Sequence, residues 1–193
     1  ALINYFESQS EIWGFVAFYG ASGMGLQDED ISITKFGVEK NFIGNLRIKM
    51  IKMAEQALNK PLRANTSHAQ KWEKGGFAHP HSDNSDFSGK PNAFEINKYV
   101  SLLYLNDTYD GGEIYFPYHE INIKPKTGMV ICFPGGVENI HGVSEVTSGT
   151  RYTMMAFWDD KDAEYSEETK EKWEKKVEAT RLQQKKQQEE WDK

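Results

Sequence analysis

The chain has 193 residues, of which 38% are hydrophobic, 27% charged and 13% aromatic, a composition typical of one soluble globular domain. Lys and Arg total 23 against 29 Asp and Glu, and the resulting net charge of -6 disfavours nucleic acid and anionic lipid as main partners. Cys132 is the only cysteine, which excludes an intrachain disulfide, and the sequence contains neither a signal-peptide pattern nor an apolar run of about 20 residues. We therefore expect a soluble, cytoplasmic protein that binds neither nucleic acid nor membrane.

The N-terminal third predicts a strand, a loop and one long helix. Residues 12–19 are rich in aromatic and β-branched side chains, whereas Gly20–Asp30 contains three glycines without periodicity and is expected to be a mobile loop. Between Val38 and Asn59, apolar residues recur every three or four positions. This spacing predicts a helix whose buried stripe consists of Ile43, Leu46, Met50, Met53 and Ala57.

The segment from Ser67 to Trp158 has the character of an all-β protein. Short runs of β-branched and aromatic residues predict strands at 100–105, 113–116, 121–123, 129–133, 141–146 and 151–158. Glycine- and proline-rich turns separate them, such as Asp110-Gly111-Gly112. Many short strands with turns of this kind indicate an antiparallel sandwich or barrel.

The C-terminal segment, residues 167–193, is predicted to form a charged helix in which Trp173 and Val177 are spaced to dock on the domain. We expect a single domain over residues 1–166. Its motif-bearing core spans about 67–158, and an N-terminal segment, 1–66, braces that core.

The segment from His79 to Asp83 holds two histidines and one carboxylate, which are metal-ligating groups. Residues two apart on an extended strand project to the same side, so His81 and Asp83 can bind one ion, and so can His79 and His81. Either pair alone is weak evidence, because an H-x-D triplet also arises by chance and is usually a polar surface segment. A further ligand has to come from elsewhere in the chain.

His141 falls on a predicted strand and is followed ten residues later by Arg151. Two histidines and one carboxylate occupy one face of an iron(II) ion and leave three positions open. A 2-oxo acid takes two of these positions and dioxygen the third, while the planar fork of an arginine suits the far carboxylate of that co-substrate. We expect His141 and Arg151 to lie on adjacent strands joined by Thr147-Ser148-Gly149, at different depths of one cavity.

Residues from about Trp72 to Trp158 resemble the iron(II)- and 2-oxoglutarate-dependent dioxygenases, in particular the prolyl 4-hydroxylase branch. The resemblance rests on His81-x-Asp83, the later His141 and Arg151. Further motifs occur in the order typical of the family: Tyr104-Leu105-Asn106, Gly111-Gly112-Glu113, Phe116-Pro117, Pro125-Lys126-x-Gly128, Phe133 and the run from His141 to Thr153. This resemblance implies a mainly β (α+β) fold, a double-stranded β-helix (jelly roll) with bracing helices on one outer face.

The resemblance also implies a role for each of these residues. His81, Asp83 and His141 would hold iron, and Arg151 would bind the distal carboxylate of 2-oxoglutarate. Tyr104 resembles the tyrosine that shares this carboxylate in related hydroxylases, and Thr153 adds a hydroxyl donor.

Two positions depart from the family's pattern. A tyrosine usually stands nine residues before the metal histidine, where this chain has Trp72, which keeps an aromatic wall but replaces the hydroxyl with an N–H. Phe157 and Trp158 stand where the family usually has a tryptophan near the site. These departures concern contact with co-substrate or substrate rather than the reaction class.

The implied activity is hydroxylation of prolyl residues in a peptide or protein, with Fe(II), 2-oxoglutarate, dioxygen and ascorbate, and with release of succinate and CO2. The polar loop after Asp83 and residues 20–30 are expected to close over the substrate.

His79 is the rival metal ligand, but a three-histidine site would leave Arg151 and Tyr104 without a carboxylate. His68 and His119 are expected on the surface.

The alternatives to a prolyl hydroxylase are a hydroxylase of another side chain, an amino acid or a small molecule, and a non-catalytic jelly-roll binding protein.

Overall fold

The computed structural model describes residues 2–7, 14–16, 23–27, 37–175, 178–179 and 182. The helices are α1 (Leu2–Glu7), α2 (Gly37–Leu58) and α3 (167–175). The strands are β1 (Gly14–Val16), β2 (Gly23–Gln27), β3 (Leu62–Trp72), β4 (Ala78–His81), β5 (Tyr99–Tyr104), β6 (Tyr109–Gly111), β7 (Ile114–Phe116), β8 (Ile121–Ile123), β9 (Val130–Pro134), β10 (His141–Val143), β11 (Val146–Gly149) and β12 (Arg151–Asp160). In the described part of the chain, every helix is too short or too polar to cross a membrane.

Two sheets form the body of the fold. The major sheet has the strand order β1-β2-β3-β12-β5-β9, and the minor sheet has the order β4-β10-β7-β8. Strands β6 and β11 pair as a separate ribbon, and the pairings in all three sheets are antiparallel. The inner faces of the two sheets share one apolar cluster: Val100, Leu102, Tyr104, Ile114, Phe116, Phe133 and Phe157. This arrangement is a double-stranded β-helix, which confirms the predicted fold class.

The outer face of the major sheet packs against helices. Side chains alternate along β12, and those on its outer side form a second buried cluster with α1 and α2: Phe6, Met50, Ala54, Met154, Ala156 and Trp158. Within this layer the indole N–H of Trp158 donates to Oγ of Ser101 at 2.7 Å, so its polar atom is satisfied. The bracing helices expected on one outer face are therefore present. Trp173 of α3 is partly buried, and Val177 lies outside the described residues.

The buried stripe of α2 differs from the predicted stripe at Met53 and Ala57, which are both exposed, and Ile43 lies outside the residues whose side chains are described. Met50 and Ala54 are 1% and 0% exposed, whereas Met53, which the periodicity placed in the stripe, is 49% exposed. Residues four apart, with Leu46 and Leu58 at the ends of the row, pack on the sheet. The sequence spacing fits two rows of side chains, one through Ala54 and Leu58 and the other through Met53 and Ala57. Packing against the sheet determines which of the two rows is buried.

Residues 23–27 form a strand and not the mobile loop predicted from the glycines. Backbone groups of β2 pair with β1 and with β3, where Met24 lies opposite Lys71. Strand pairing uses N–H and C=O groups that every residue here carries, so it does not require a side-chain pattern. The rest of residues 20–30 lies outside the described residues.

The segment that follows His141 also differs from the prediction. Strand β10 ends at Val143 in the minor sheet, β11 pairs with β6, and β12 lies in the major sheet. His141 and Arg151 therefore lie on different sheets rather than on adjacent strands. The predicted strands near 100–105, 113–116, 121–123, 129–133 and 151–158 are confirmed as β5, β7, β8, β9 and β12.

Candidate active site

A cluster of three metal-ligating side chains lies where the minor sheet begins. His81 is the last residue of β4, Asp83 follows in the next loop, and His141 opens β10 directly opposite His81 in the strand register. Their ligand atoms all lie within 4.8 Å of one another. Nε2 of His81 is 3.9 Å from Oδ1 of Asp83, and Nε2 of His141 is 3.9 Å from Oδ2. The sequence is thus folded so that two imidazoles and one carboxylate converge on one point.

Backbone carbonyls orient both imidazole rings. Nδ1 of His81 lies 2.8 Å from the carbonyl oxygen of His79, and Nδ1 of His141 lies 3.0 Å from that of Asn139. A carbonyl only accepts, so Nδ1 carries the proton in each ring and the lone pair is on Nε2, the nitrogen that faces Asp83. Metal-binding histidines in proteins are generally fixed by such a second hydrogen bond.

The position of Asp83 depends on a close backbone approach at Gly135. The Asp83 N–H donates to the carbonyl oxygen of Gly135 at 2.9 Å, and the Ser82 hydroxyl donates to the same oxygen at 3.0 Å. A Cβ atom at Gly135 would lie 3.1 Å from Cβ of Asp83 and 3.0 Å from the carbonyl oxygen of Asn97. A side chain at position 135 would therefore push against the backbone that holds Asp83.

The electrostatics of the cluster fit a divalent cation. Burial lowers the pKa of His141 to about 4, and burial together with the charge of His141 lowers the pKa of His81. Both rings are consequently neutral at pH 7, the form that binds a metal. Burial also raises the pKa of Asp83 to about 6, and its Oδ2 has no hydrogen-bond partner. A cation offsets the cost of such a buried, unsatisfied carboxylate oxygen.

Arg151 lies at the first position of β12 and is 1% exposed. Its Nε donates to the carbonyl oxygen of Gly112 at 3.2 Å, and no carboxylate of the described residues pairs with its guanidinium. Cζ of Arg151 lies 4.9 Å from the ring centroid of Trp72 and 5.1 Å from that of Tyr104, so two aromatic faces contact the cation. A buried guanidinium without an anion is the arrangement that an anionic ligand completes.

Four buried polar groups on the strands around Arg151 have no hydrogen-bond acceptor among the described residues: Nε1 of Trp72, the hydroxyls of Tyr104 and Tyr109, and Oγ1 of Thr153. The register places Trp72 opposite Arg151 and Tyr104 opposite Thr153. Each of these atoms can donate one hydrogen bond, and carboxylate oxygens accept several. The deep end of the site therefore fits a carboxylate.

Tyr109 is the member of this group that the sequence did not single out. It directly precedes the predicted turn Asp110-Gly111-Gly112, and the structure places it at the start of β6. The nearby Asp-Gly-Gly motif was the available signal, but motif spacing does not indicate that a tyrosine hydroxyl is buried beside an arginine.

Aromatic rings surround His141 on the inner side of the sheets. The ring centroids of Phe133 and Phe116 lie 4.7 Å and 5.7 Å from that of His141. Phe157 faces this inner side, whereas Trp158 points outward into the helix layer. Of the pair that stands where the family usually has a tryptophan, Phe157 alone faces the site.

The remaining histidines do not join the metal-ligating cluster. His79 is exposed against the ring of Phe77, and it supplies a backbone carbonyl to His81 rather than its side chain. His119 is exposed as expected, with Nε2 2.8 Å from the carbonyl oxygen of Glu138. The surface prediction for His68 is wrong: its ring packs 5.8 Å from that of Phe157, and burial lowers its pKa to about 4. Strand alternation turns this polar side chain inward.

Comparison with known proteins places this site in a family. Residues 67–159 match the family model described as the 2OG-Fe(II) oxygenase superfamily. Prolyl 3-hydroxylase 2 of Mus musculus is 37% identical over 111 residues, which covers 51% of this chain and 16% of that protein. Prolyl 3-hydroxylase 3 of Homo sapiens is 29% identical over 133 residues, which covers 58% of this chain and 18% of that protein. The chain thus spans less than a fifth of the length of these relatives.

Solved structures share the fold. The viral collagen prolyl hydroxylase of Paramecium Bursaria Chlorella virus-1 has a TM-score of 0.58 at 17% identity, with 82% of this chain and 87% of that chain covered. A prolyl-4-hydroxylase of Pseudomonas putida has a TM-score of 0.58 at 15% identity, with 83% of each chain covered. A prolyl hydroxylase of Trichoplax adhaerens has a TM-score of 0.61 at 16% identity, with 82% and 74% covered. Residues 67–159, nearly half of the chain, thus match the model of the 2OG-Fe(II) oxygenase superfamily, and the fold is shared with solved prolyl hydroxylases.

Proposed function

We propose that this domain is an iron(II)- and 2-oxoglutarate-dependent dioxygenase that hydroxylates prolyl residues of a peptide or protein and releases succinate and CO2. One observation carries the proposal. His141 of the metal-ligating cluster packs against Phe116 and Phe133, and the buried Arg151 packs against Tyr104; these three aromatic residues belong to the one apolar cluster between the two sheets. A 2-oxo acid with a second carboxylate would bind a metal in the cluster at its 2-oxo acid end and Arg151 at its far carboxylate.

Three side chains would hold the metal. His81, Asp83 and His141 would bind iron(II) on one face and leave the opposite positions for co-substrate and dioxygen. When bound, the iron supplies dioxygen activation coupled to oxidative decarboxylation of 2-oxoglutarate and oxygen transfer to a C–H bond. Ascorbate would serve as the reductant that keeps the metal ferrous. The carbonyls of His79 and Asn139 hold the imidazole rings in the required orientation.

The groups around Arg151 would bind 2-oxoglutarate. Arg151 would bind the distal carboxylate with its two terminal nitrogens, and the hydroxyls of Tyr104 and Thr153 would donate to the same group. Trp72 would form a wall of the pocket through its ring, which already stacks on the guanidinium. Burial of these groups strengthens the interaction because water does not compete with it.

The proposed substrate contains proline. The curated relatives are named prolyl 3-hydroxylases, and the structural neighbours include a collagen prolyl hydroxylase and a prolyl hydroxylase in complex with a hypoxia inducible factor peptide. These names support a proline-containing peptide or protein as the substrate. The phenylalanines around His141 supply apolar surface of the kind that a pyrrolidine ring contacts.

A peptide panel tests the proposal directly. The protein is incubated with iron(II), ascorbate, 2-oxoglutarate and proline-rich peptides that include collagen-like repeats, and succinate and peptide mass are measured. We expect succinate to form together with a mass gain of one oxygen atom, and amino-acid analysis then distinguishes 3- from 4-hydroxyproline. Asp83→Ala should abolish both products, while Asp162→Ala, which alters an exposed carboxylate outside the candidate site, should not.

Two other outcomes would redirect the proposal. Succinate that forms only with another side chain, a free amino acid or a small molecule would retain the chemistry and reject the prolyl substrate. A protein that binds neither iron(II) nor 2-oxoglutarate would be a jelly-roll binding protein.

A further inference from the structure

Tyr109 combines features that simple packing does not explain. It opens β6, and its ring packs in a buried cluster with Trp72, Ala78, Val143 and Val146. The residue is 7% exposed, its oxygen lies beside the guanidinium of Arg151, which can only donate to it, and no group of the described residues accepts the hydroxyl proton. A phenylalanine would fill the same apolar cluster without burying an unsatisfied hydroxyl, which is costly. The hydroxyl proton therefore requires an acceptor that the described residues do not provide.

The position of the ring brings Tyr109 to Arg151. Cε2 of Tyr109 and Cδ of Arg151 lie 2.9 Å and 3.0 Å from the point that a Cβ atom at Gly112 would occupy. Gly112 has a φ of 66°, so both the backbone conformation and the missing Cβ allow the tyrosine ring and the arginine stem to meet there.

The hydroxyl of Tyr109 is a donor at neutral pH. Burial raises its pKa to about 12, although the positive charge of Arg151 acts in the opposite direction. Arg151 also acts on the hydroxyl of Tyr104, and the two tyrosines interact with each other electrostatically. The guanidinium thus has two protonated tyrosine hydroxyls beside it, and neither hydroxyl has an acceptor for its proton among the described residues.

We propose that the Tyr109 hydroxyl donates a hydrogen bond to the distal carboxylate of the co-substrate held by Arg151, so that two tyrosines rather than one bind this group. The inference rests on the proposed use of 2-oxoglutarate and adds a residue that selects a dicarboxylate. A guanidinium fork leaves other lone pairs of a carboxylate open to hydroxyl donors, and Tyr104 and Tyr109 are placed to meet them.

Binding measurements without turnover test this assignment. The full 193-residue chain is loaded with iron(II) without oxygen, and dissociation constants are measured by calorimetry and by the absorbance of the iron–2-oxo acid chelate. The ligands are 2-oxoglutarate and 2-oxopentanoate, which has a methyl group in place of the distal carboxylate. The proteins are wild type, Tyr109→Phe and Tyr152→Phe. Tyr152 is next to Arg151 on β12, but strand alternation turns its side chain to the other face.

We expect Tyr109→Phe to weaken 2-oxoglutarate binding about 10- to 100-fold and to leave 2-oxopentanoate binding unchanged, because the lost hydrogen bond goes to a charged group that only 2-oxoglutarate has. Tyr152→Phe should match wild type with both ligands. Equal 2-oxoglutarate affinity in wild type and Tyr109→Phe, or equal weakening of both ligands, would overturn the assignment of Tyr109 alone. A wild-type protein that does not bind 2-oxoglutarate would overturn the proposed function together with this inference.

Discussion

A guanidinium as deeply buried as that of Arg151 normally has an opposite charge beside it. The described residues give it two aromatic faces and one backbone carbonyl instead. Ring faces offset part of the desolvation cost of a cation, but less than a hydrogen-bonded carboxylate does. The proposed role of Arg151 in ligand binding would therefore come at the expense of stability, and both effects can be measured.

Arg151→Met is expected to leave the free energy of unfolding at or above the wild-type value without ligand, because it removes an unpaired buried charge and keeps most of the volume. With a divalent metal present throughout, addition of 2-oxoglutarate should stabilise wild type and have a much smaller effect on the variant, which keeps the metal cluster but lacks the guanidinium. Urea unfolding with and without the ligands measures both effects. A loss of several kcal/mol in the ligand-free variant would show that Arg151 has a structural role instead.

Sequence spacing singled out His81, Asp83, His141 and Arg151, and the fold brings the first three to one point. Such residues are predictable because their types are rare and their order is fixed by the strand arrangement. The burial of Tyr109 and the inward position of His68 were not predictable. Both depend on which face of a strand meets the core, and a polar strand sequence does not determine that face.

At the scale of elements, α2 shows that periodicity predicts where a helix lies, whereas packing determines which of its residues are buried. The helix was predicted within residues 38–59 and spans Gly37–Leu58. Its buried row was placed partly on the wrong side, because residues at spacings of three and four both produce an apolar stripe. Met50 and Met53 are therefore a matched pair: the same residue type on the same helix, 1% and 49% exposed.

Met50→Ala should lower the free energy of unfolding by about 2–5 kcal/mol, since it leaves a cavity between α2 and the major sheet. Met53→Ala should change it by less than about 0.5 kcal/mol, because the side chain is largely in water. Urea titrations of the two variants provide the comparison. Similar losses from both would contradict the position of α2 on the sheet.

The adjoining ends of β3, β5 and β12 are joined by a charged network. Asp160 accepts hydrogen bonds from Lys60 at 2.8 Å, from the Tyr99 hydroxyl at 3.1 Å and from Lys98 at 3.3 Å. The hydrogen bond from Lys60 is the largest cause that lowers the pKa of Asp160, followed by those from Tyr99 and Lys98. The side chains are about a third exposed, so the network contributes modestly to stability.

The lowered pKa gives this network a defined pH dependence. A carboxyl group whose folded pKa lies below its unfolded value of about 4 stabilises the fold above that pH, and the contribution is lost as the pH falls through the folded value. Asp160→Asn should therefore lose less stability than wild type between about pH 5 and pH 3, by under about 1 kcal/mol. Urea midpoints measured across this range, with the exposed Asp162→Asn as control, test the effect. Parallel curves for wild type and Asp160→Asn would argue against it.

At the scale of the whole molecule, the candidate site is divided between the two sheets. The histidines belong to strands of the minor sheet, and Arg151, Tyr104 and Thr153 belong to strands of the major sheet. The predicted order of motifs was sufficient to identify the fold class. It did not predict that His141 and Arg151 lie on different sheets, because the strand between them pairs with β6 as a separate ribbon.

A ligand that chelates the metal at one end and meets Arg151 at the other connects the two sheets, so metal and 2-oxoglutarate should bind cooperatively. We expect 2-oxoglutarate to stabilise wild type by about 1–3 kcal/mol more in the presence of Mn(II) than in its absence. Asp83→Ala should remove this difference, although the proposed ligand contacts at Arg151 are intact, whereas Asp162→Ala should retain it. Urea unfolding under the four ligand conditions measures the coupling. If 2-oxoglutarate stabilised wild type equally with and without Mn(II), the two halves of the site would be independent, and a single ligand spanning both sheets would be excluded.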